Sequence, residues 1–175
     1  MSTTTWVIDP THSEIGFKVK HMVFTNVSGK FESYDATITT EEDDFTKSSI
    51  EFSTNIDSIN TGNADRDTHL KSADFFDSAN NPKLTFVSSS LVKSGSDYEL
   101  TGDLSIHGVT KSVKLDAEVS GLLKDPWGNT KVALNISGKI NRTDFGLTWN
   151  SALETGGVLV SDEVKLNIEL QLLKQ

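Results

Sequence analysis

Residues capable of acid–base or metal chemistry are few and widely spaced in this chain. The four histidines are His12, His21, His69 and His107, and no two of them have the spacing of an HExxH zinc motif. The chain has no cysteine, which excludes thiolate ligands, cysteine nucleophiles and disulfides. The sequence contains no GxSxG turn, and we find no arrangement of a separated serine, histidine and acid that would indicate a hydrolase. We therefore expect no metal site and no catalytic centre, and predict that the protein is not an enzyme.

Two arginines are the main candidates for a polar binding site. Arg66 precedes Asp67 in a charged run, and its guanidinium could hold a head group or a pyrophosphate through two parallel hydrogen bonds. The alternative is a structural ion pair or a network that anchors a helix. Arg142 stands just before a turn in INRTDFG, where it could contact a head group or bridge to Asp144 or Asp74.

Alternation of apolar and polar residues dominates the chain and predicts half-buried β-strands. Near the N-terminus Ile15, Phe17, Val19 and His21 share one face, which places His21 inside the predicted fold or in its core. The same period recurs in about eight segments, which turn residues separate. Such spacing predicts hairpins and a mainly antiparallel sheet. The predicted fold class is all-β, in a single domain that spans residues 1–175.

Glycines lie within several of these predicted strands, including Gly16, Gly29, Gly102 and Gly138. They suit sharp bends or positions where another group approaches the backbone. This favours an eight-stranded closed barrel over a two-sheet sandwich. Such a barrel either fills with side chains or holds one small ligand, and the pattern does not decide between the two.

The segment NADRDTHLKSADFFD, residues 63–77, departs from the alternation. Asn63 or Asp65 can cap a helix, which predicts a short helical segment near residues 63–73. Leu70 is the apolar residue that would dock this helix on the barrel.

Aromatic residues stand at several of the predicted connections. Phe75 and Phe76 follow the predicted helix and either reach the mouth of the barrel or complete its core under a loop. Trp127 and Trp149 lie in late loops, where either could cover the mouth or take part in a dimer contact.

Net charge and hydropathy narrow the classes of partner. With 16 basic and 25 acidic residues the formal charge is −9, and no basic cluster indicates nucleic-acid binding. The chain contains no run of eighteen apolar residues, so we predict no transmembrane segment. The start, MSTTTWVIDP, has neither a basic region nor an apolar stretch, so we predict no signal peptide and a cytoplasmic protein. A mature chain whose signal had been removed would instead be periplasmic.

Five blocks follow one another along the sequence: WVIDPTHS at 6–13 with the strand that runs on to His21, GKF at 29–31, RDTHLKSADFFD at 66–77, GDLSIHGVTK at 102–111, and INRTDFGL at 140–147 with the closing SDEVKLNIEL. They span nearly the whole chain. In this order they resemble the YceI-like family of polyisoprenoid-binding, lipocalin-like proteins.

The resemblance implies an extended eight-stranded antiparallel lipocalin-like barrel with a helical element, often paired as a homodimer. It implies a long apolar channel that binds, carries or sequesters a long-chain lipid, such as an isoprenoid quinone, a polyprenyl diphosphate or a fatty-acid derivative. No cofactor other than the bound lipid is implied. Many members have a signal peptide and are periplasmic, whereas this chain shows none.

The expected channel wall consists of apolar residues on the inward strand faces: Phe17, Val19, Phe31, Phe52, Ile56, Phe86, Leu104, Ile106, Leu134, Ile136, Leu166 and Ile168. His21, Arg66, Phe75, Phe76, Arg142 and Trp149 complete the predicted ligand-binding residues. A register error of one residue would turn a whole strand outward. Two alternatives remain open at this point: an enzyme for an apolar substrate that uses His21, Asp67 or Arg66, and a filled-barrel stress or interaction protein.

Overall fold

The alternating segments form twelve antiparallel strands in residues 2–150 and 159–175, the part of the chain that the computed structural model describes. In chain order these are β1 Thr3–Ile8, β2 Glu14–His21, β3 Thr25–Phe31, β4 Tyr34–Glu41, β5 Asp44–Asn55, β6 Ile59–Asn60, β7 Lys83–Ser94, β8 Asp97–Ile106, β9 Val109–Val119, β10 Leu123–Lys124, β11 Thr130–Asn141 and β12 Val160–Lys174. The helix α1 spans Ala64–Lys71, and 3-10 turns occupy Pro10–His12, Ile56–Ser58 and Arg142–Phe145.

The strands close into a barrel of eight positions, which confirms the predicted fold. Pairing runs in the ring β12, β1, β4, β5, β7, β8, β9, β11 and back to β12. Three positions are interrupted strands, because β2 continues β1 along the same edge of β12, β3 continues β4 along β2, and β6 continues β5. These three interruptions give eleven strands, and the short β10, which pairs with β11 outside the ring, is the twelfth.

The bend between β1 and β2 is formed by the block DPTHS, residues 9–13. Asp9 caps the 3-10 turn: its carboxylate accepts hydrogen bonds from the Thr11 hydroxyl (2.7 Å) and the Thr11 amide (3.0 Å), and lies 2.9 Å from His12 Nδ1. The Ser13 hydroxyl accepts from the Gln171 amide (3.0 Å). These bonds tie the bend to β12, so the block keeps two strand pieces on one neighbour.

We expect the variant D9N, which removes the charge of Asp9, to lower the free energy of unfolding. The hydrogen bond from Thr11, followed by that from His12, holds the pKa of Asp9 far below its ordinary value. A depressed folded-state pKa adds stability at pH values above the unfolded pKa of about 4, and this is lost as pH falls below that value. At pH 7 D9N should therefore unfold with about 1 kcal/mol less free energy than wild type.

Urea unfolding at pH 7 and at pH 3 measures this difference, which should shrink at the lower pH. The matched control is D116N, because Asp116 is an exposed carboxylate in the middle of β9. An unchanged gap between D9N and wild type across the two pH values would contradict the assigned hydrogen bonds.

Helix α1 confirms the predicted helical segment near residues 63–73. The Asn63 side chain caps it by accepting a hydrogen bond from the Arg66 amide (3.0 Å). Leu70 is half-buried and packs against the barrel core, as predicted. With eight residues, α1 is far too short to cross a membrane. In the described part of the chain, no helix is long and apolar enough to do so.

Glycine in the strands makes room for rings that cross the barrel interior. A Cβ at Gly29 would lie 2.4 Å from the ring of Phe17, its direct partner on β2. A Cβ at Gly102 would lie 2.4 Å from the ring of Phe86 on β7. The predicted close approach to the backbone is therefore that of aromatic side chains on neighbouring strands.

One end of the barrel is closed by a packed plug of large side chains. Trp6, Phe45 and Leu172 are buried there, and the rings of Trp6 and Phe45 lie 5.1 Å apart. The Trp6 indole donates to the Thr40 hydroxyl (3.0 Å), which donates to the Glu42 carbonyl (2.7 Å). The indole and the Thr40 hydroxyl are thus both paired, and these large side chains fill this end of the barrel.

Candidate ligand-binding channel

An apolar cavity, which we call the inner chamber, lies in the barrel above the plug. It contains about 880 Å³ of space free of atoms, counting the part open to solvent. Among the described residues that line it, Thr54 has the one polar side chain, and its hydroxyl donates to the Ser33 carbonyl (2.7 Å). The inner chamber therefore offers a ligand carbon surface.

A second cavity, the outer chamber, continues the first towards α1 and the β2–β3 hairpin. It holds about 670 Å³ of atom-free space, again including the open part. Six residues line both chambers: Phe17, Phe31, Leu84, Ile106, Ile140 and Leu166. The two chambers therefore adjoin at these six residues, and together we call them the channel.

The junction of the chambers is marked by two aromatic rings. Phe17 and Phe31 lie with their centroids 5.6 Å apart, and the ring of Phe17 can lie there because its strand partner is Gly29. A ligand that occupies both chambers must pass these rings.

An aromatic cluster lies over the outer chamber. Phe76 contacts Phe31 edge to face (6.3 Å), and Phe75 packs against Trp149 (5.3 Å) and His69 (5.1 Å). His69 also lies edge-on to Trp149 (4.8 Å). Because Phe75, Phe76 and Leu70 line the outer chamber, α1 and the phenylalanine pair form its cover. We call this end of the barrel, opposite the plug, the mouth.

The imidazole of His69 is held from a third side, with its Nε2 2.9 Å from the Asp74 carboxylate. Ring packing therefore joins the cover to Trp149. The hydrogen bond with Asp74 holds the His69 ring, which contacts both Phe75 and Trp149.

The barrel wall is interrupted on the side of the outer chamber. Pairing between β9 and β11 covers Asp116–Val119 with Leu134–Ser137, and no further pairs extend it along these two described strands. Leu115 lies over the bare backbone of Gly138, where a Cβ would meet it at 2.5 Å. The turn Arg142–Phe145, with Phe145 buried, packs beside this opening.

Arg142 is the charged residue on the wall of the outer chamber, yet its donors are engaged. It is 4% exposed, and its guanidinium donates to the carbonyls of Leu147 (2.6 Å), Trp149 (3.0 Å), Ser161 (2.9 Å) and Val160 (3.3 Å). Burial lowers the pKa of Arg142 from its ordinary value, and an acid nearby opposes that shift. Arg142 thus holds the two chain segments that flank residues 151–158.

The acid beside Arg142 differs from the predicted ones. Asp162 lies 3.7 Å from the guanidinium, whereas Asp74 contacts His69. The predicted bridge to Asp144 or Asp74 is therefore wrong, because the arginine turns towards the start of β12 and reaches the acid there. The strand β12 is distant from Arg142 in sequence, so local spacing could not indicate it.

Arg66 lies outside both chambers. Its Nε donates to the Thr61 hydroxyl (2.8 Å) and its Nη2 to the Thr61 carbonyl (2.7 Å). Asp67 accepts from the amide (3.0 Å) and the hydroxyl (2.5 Å) of the same threonine. The Arg66-Asp67 pair therefore anchors α1 to the end of β6, the structural alternative given above.

The structure brings most of the predicted binding residues to the channel. Fourteen of them line it: Phe17, Val19, Phe31, Phe52, Phe75, Phe76, Phe86, Leu104, Ile106, Leu134, Ile136, Arg142, Leu166 and Ile168. Contact of these residues with a ligand stays a prediction.

Four predicted residues lie elsewhere in the described part of the chain. His21 is at the end of β2, beyond the cavity, paired with Thr25 and Val160. Ile56 is buried in the core at a 3-10 turn that ends the alternation of β5. Arg66 contacts Thr61, and Trp149 packs against Phe75 without lining either chamber.

Further wall residues were not among those predicted. Most continue the same inward faces: Ile8, Ile15, Ala36, Ile38, Ile50, Leu84, Leu100, Leu115, Ile140, Val164 and Leu170. Alternation was the signal that could have included them. Leu147 also lines the outer chamber, but it lies outside any strand and no sequence pattern indicates it.

Polar chemistry is sparse around this channel. Within residues 2–150 and 159–175, no group of three or more His, Asp or Glu side chains is placed to hold a metal ion. The walls can exclude water and contact apolar chains. What they offer is a shape and a dry surface.

Comparison with known proteins gives consistent relatives. A family model described as a YceI-like domain matches residues 6–172. A UPF0312 protein of Staphylococcus aureus is 37% identical over 163 residues, covering 93% of each chain. A UPF0312 protein of Pectobacterium carotovorum is 35% identical over 164 residues, covering 94% of this chain and 82% of its own length.

Solved structures share the barrel. The Campylobacter jejuni YCEI protein superimposes with a TM-score of 0.77 at 34% identity, covering 89% of this chain and 90% of its own. Burkholderia cenocepacia BcnA gives 0.80 at 22% identity with coverages of 94% and 98%. A domain from Saccharophagus degradans, described as polyisoprenoid binding, gives 0.67 at 14% identity with coverages of 97% and 98%. The last two show likeness of fold.

Proposed function

The chain belongs to the YceI-like domain family, and on that premise we propose that it binds a polyisoprenoid or a similar long-chain lipid in its channel and carries or sequesters it. The observation that carries this proposal is the pair of consecutive chambers with apolar walls. Polyisoprenoid binding is the described property of the related Saccharophagus degradans domain, and it supplies the ligand class to test.

Apolar burial alone is sufficient to hold such a ligand. Each methylene that leaves water contributes about 0.8 kcal/mol, so a chain that fills both chambers needs no polar contact along its length. The plug at Trp6, Phe45 and Leu172 limits how far the chain can enter. Length is therefore the property by which this channel would select its ligand.

The polar end of the ligand would remain at the mouth. The donors of Arg142 are occupied by backbone carbonyls, and Arg66 is bound to Thr61 outside the channel. Because neither arginine directs an unoccupied set of donors into the chambers, we propose that the tail and not the head group is recognised. Quinones, polyprenyl diphosphates and fatty-acid derivatives then differ mainly by how their tails fit.

Binding without turnover is part of the proposal. The residues considered for catalysis have other contacts: Arg66 and Asp67 hold Thr61, and His21 lies outside the chambers. Homodimer formation and a cytoplasmic location stay predictions, which light scattering and cell fractionation test.

Native mass spectrometry of protein purified without detergent tests the proposal directly. We expect a bound species that organic extraction releases and identifies as a long-chain lipid. Extracted protein should then take up a polyprenyl or fatty-acyl probe in a one-to-one complex. Protein that carries no lipid and takes up neither probe would not be a lipid carrier.

A further inference from the structure

The hairpin between β2 and β3 ends in three apolar residues that face solvent. Met22, Val23 and Phe24 are 52%, 48% and 88% exposed. Met22 and Val23 have φ values of 52° and 71°, a region that is strained for a β-branched residue and that hairpin turns normally fill with Asn or Gly. Neither the turn nor the core therefore accounts for these side chains, which we call the apolar tip.

Lysines cover the outer face of the strands below the apolar tip. Lys18 and Lys20 alternate with channel-lining residues of β2 and so point outwards. Lys165 on β12 is directly opposite Lys18, and Lys139 on β11 is directly opposite Lys165. We call Lys18, Lys165 and Lys139 the lysine row.

The lysine row is unfavourable by itself, because like charges directly opposite each other destabilise a sheet. It occurs in a chain with a formal charge of −9. Glu163 lies 3.7 Å from Lys139, with both side chains more than half exposed, and Asp162 lies beside Arg142. The ion pairs of the described residues include no partner for Lys18, Lys20 or Lys165.

The apolar tip and the lysines stand at the end of the barrel that holds the outer chamber, opposite the plug. His21 pairs with Val160, and Val160 and Val19 line the outer chamber. At about 3.3 Å per residue, Lys18 lies within roughly 13 Å of Met22 along the strand. A surface that met the tip would also meet the lysines and the mouth.

A second exposed apolar turn provides an internal comparison. Leu122 and Leu123 are about half exposed and Trp127 is 82% exposed. This turn precedes β11, whose first residues pair with the end of β12, so it lies at the plugged end. The nearby Lys131 is bound by Asp9 and Asp125. Apolar exposure therefore occurs at both ends, but unpaired lysines and the channel mouth accompany the apolar tip.

We propose that the apolar tip and the lysine row dock this protein on an anionic lipid membrane with the channel mouth facing the bilayer. Apolar side chains that enter the headgroup boundary and lysines near anionic lipids both contribute to such binding. A second copy of the chain fits less well, since an isologous contact through the tip would bring two lysine rows together. The proposal goes beyond lipid carriage and does not depend on which lipid the channel holds.

Vesicle sedimentation tests the proposal with phosphatidylcholine vesicles that contain or lack phosphatidylglycerol. We expect binding to the anionic vesicles that weakens at high salt. The double variant V23S/F24S should bind at least tenfold more weakly, and K18Q/K165Q roughly tenfold more weakly. W127S is the matched control for loss of an exposed apolar residue and should bind like wild type.

A fluorescent label locates the contact. Because the chain has no cysteine, F24C and L122C each accept one environment-sensitive dye. The dye at position 24 should shift to the blue on anionic vesicles, and the dye at position 122 should not.

Three results would overturn the docking proposal: equal binding by V23S/F24S and wild type, equal loss with W127S, or a fall in solution mass of V23S/F24S that reveals a tip-to-tip dimer. Lipid occupancy of the channel is measured on the same variants. If the channel contains lipid but the protein does not bind vesicles, the docking proposal is rejected and lipid carriage is retained. If the protein binds vesicles but its channel never takes up lipid, lipid carriage is rejected and docking is retained.

Discussion

L166W is expected to lose bound lipid while the protein stays folded with nearly unchanged stability. Leu166 lines both chambers and lies opposite Phe17 and Gly138 on its two neighbouring strands. An indole at this position would project into the junction of the two chambers, beside Phe17. A ligand could then no longer extend from the outer into the inner chamber, and occupancy measured by native mass spectrometry should fall by most of its wild-type value.

The same substitution in the plug is the matched control. Leu172 is fully buried on the same strand and lines neither chamber. L172W should lose about 1–3 kcal/mol of unfolding free energy, the usual effect of overpacking, while L166W should lose less. If L166W were destabilised as strongly as L172W, the interior at Leu166 would be a filled core, and the filled-barrel alternative would be correct.

R142M is expected to be among the most destabilising single substitutions in the chain. It would remove the arginine donor from the buried carbonyl of Leu147 and from the part-buried carbonyls of Trp149, Val160 and Ser161, of which Val160 keeps the Asn150 side-chain amide as a donor. Unsatisfied buried groups cost about 1–3 kcal/mol each before relaxation, and removal of a buried charged partner typically costs 3–5 kcal/mol. We expect a loss of about 3 kcal/mol or more in urea unfolding, and faster lipid release because Leu147 and Val160 line the outer chamber.

Two further variants separate the role of Arg142 from that of its charge. R142K should recover part of the stability, since an ammonium retains the charge but cannot place donors in the same fork. R66M removes an arginine that donates to a single residue, Thr61, and should cost about 1 kcal/mol. Equal losses in R142M and R66M would show that the Arg142 carbonyl contacts contribute little.

The resemblance and the alternation together predicted the barrel and much of its wall. Strands β8, β11 and β12 show why alternation works here. β8 and β11 keep one residue parity inwards along their whole length, and β12 does so from Val164 onwards, so Leu104, Leu134 and Leu166 all reach the channel. Helix α1 was also predictable, because a cap residue, a short charged run and one apolar residue suffice to define it. Ile56 does not line either chamber, because β5 ends one residue earlier and a 3-10 turn interrupts the alternation there.

Contacts between distant parts of the chain were not predictable in the same way. Nothing in the spacing of INRTDFG indicates that Arg142 would turn to carbonyls on both sides of residues 151–158, or that Asp162 would be its acid. Likewise the lysine row depends on the register of β2, β12 and β11. Each lysine alone reads as an ordinary outward residue of an alternating strand.

The sequence by itself determined the class of fold, the parity of the strands and the place of the helix, because each follows from the local period of apolar residues and from local capping. The tertiary structure decided which end of the barrel is plugged, where the two chambers meet at Phe17 and Phe31, and which groups of the protein accept hydrogen bonds from the two arginines. Those features depend on strand register and on how side chains from distant strands fill a shared interior, and a one-dimensional pattern contains neither.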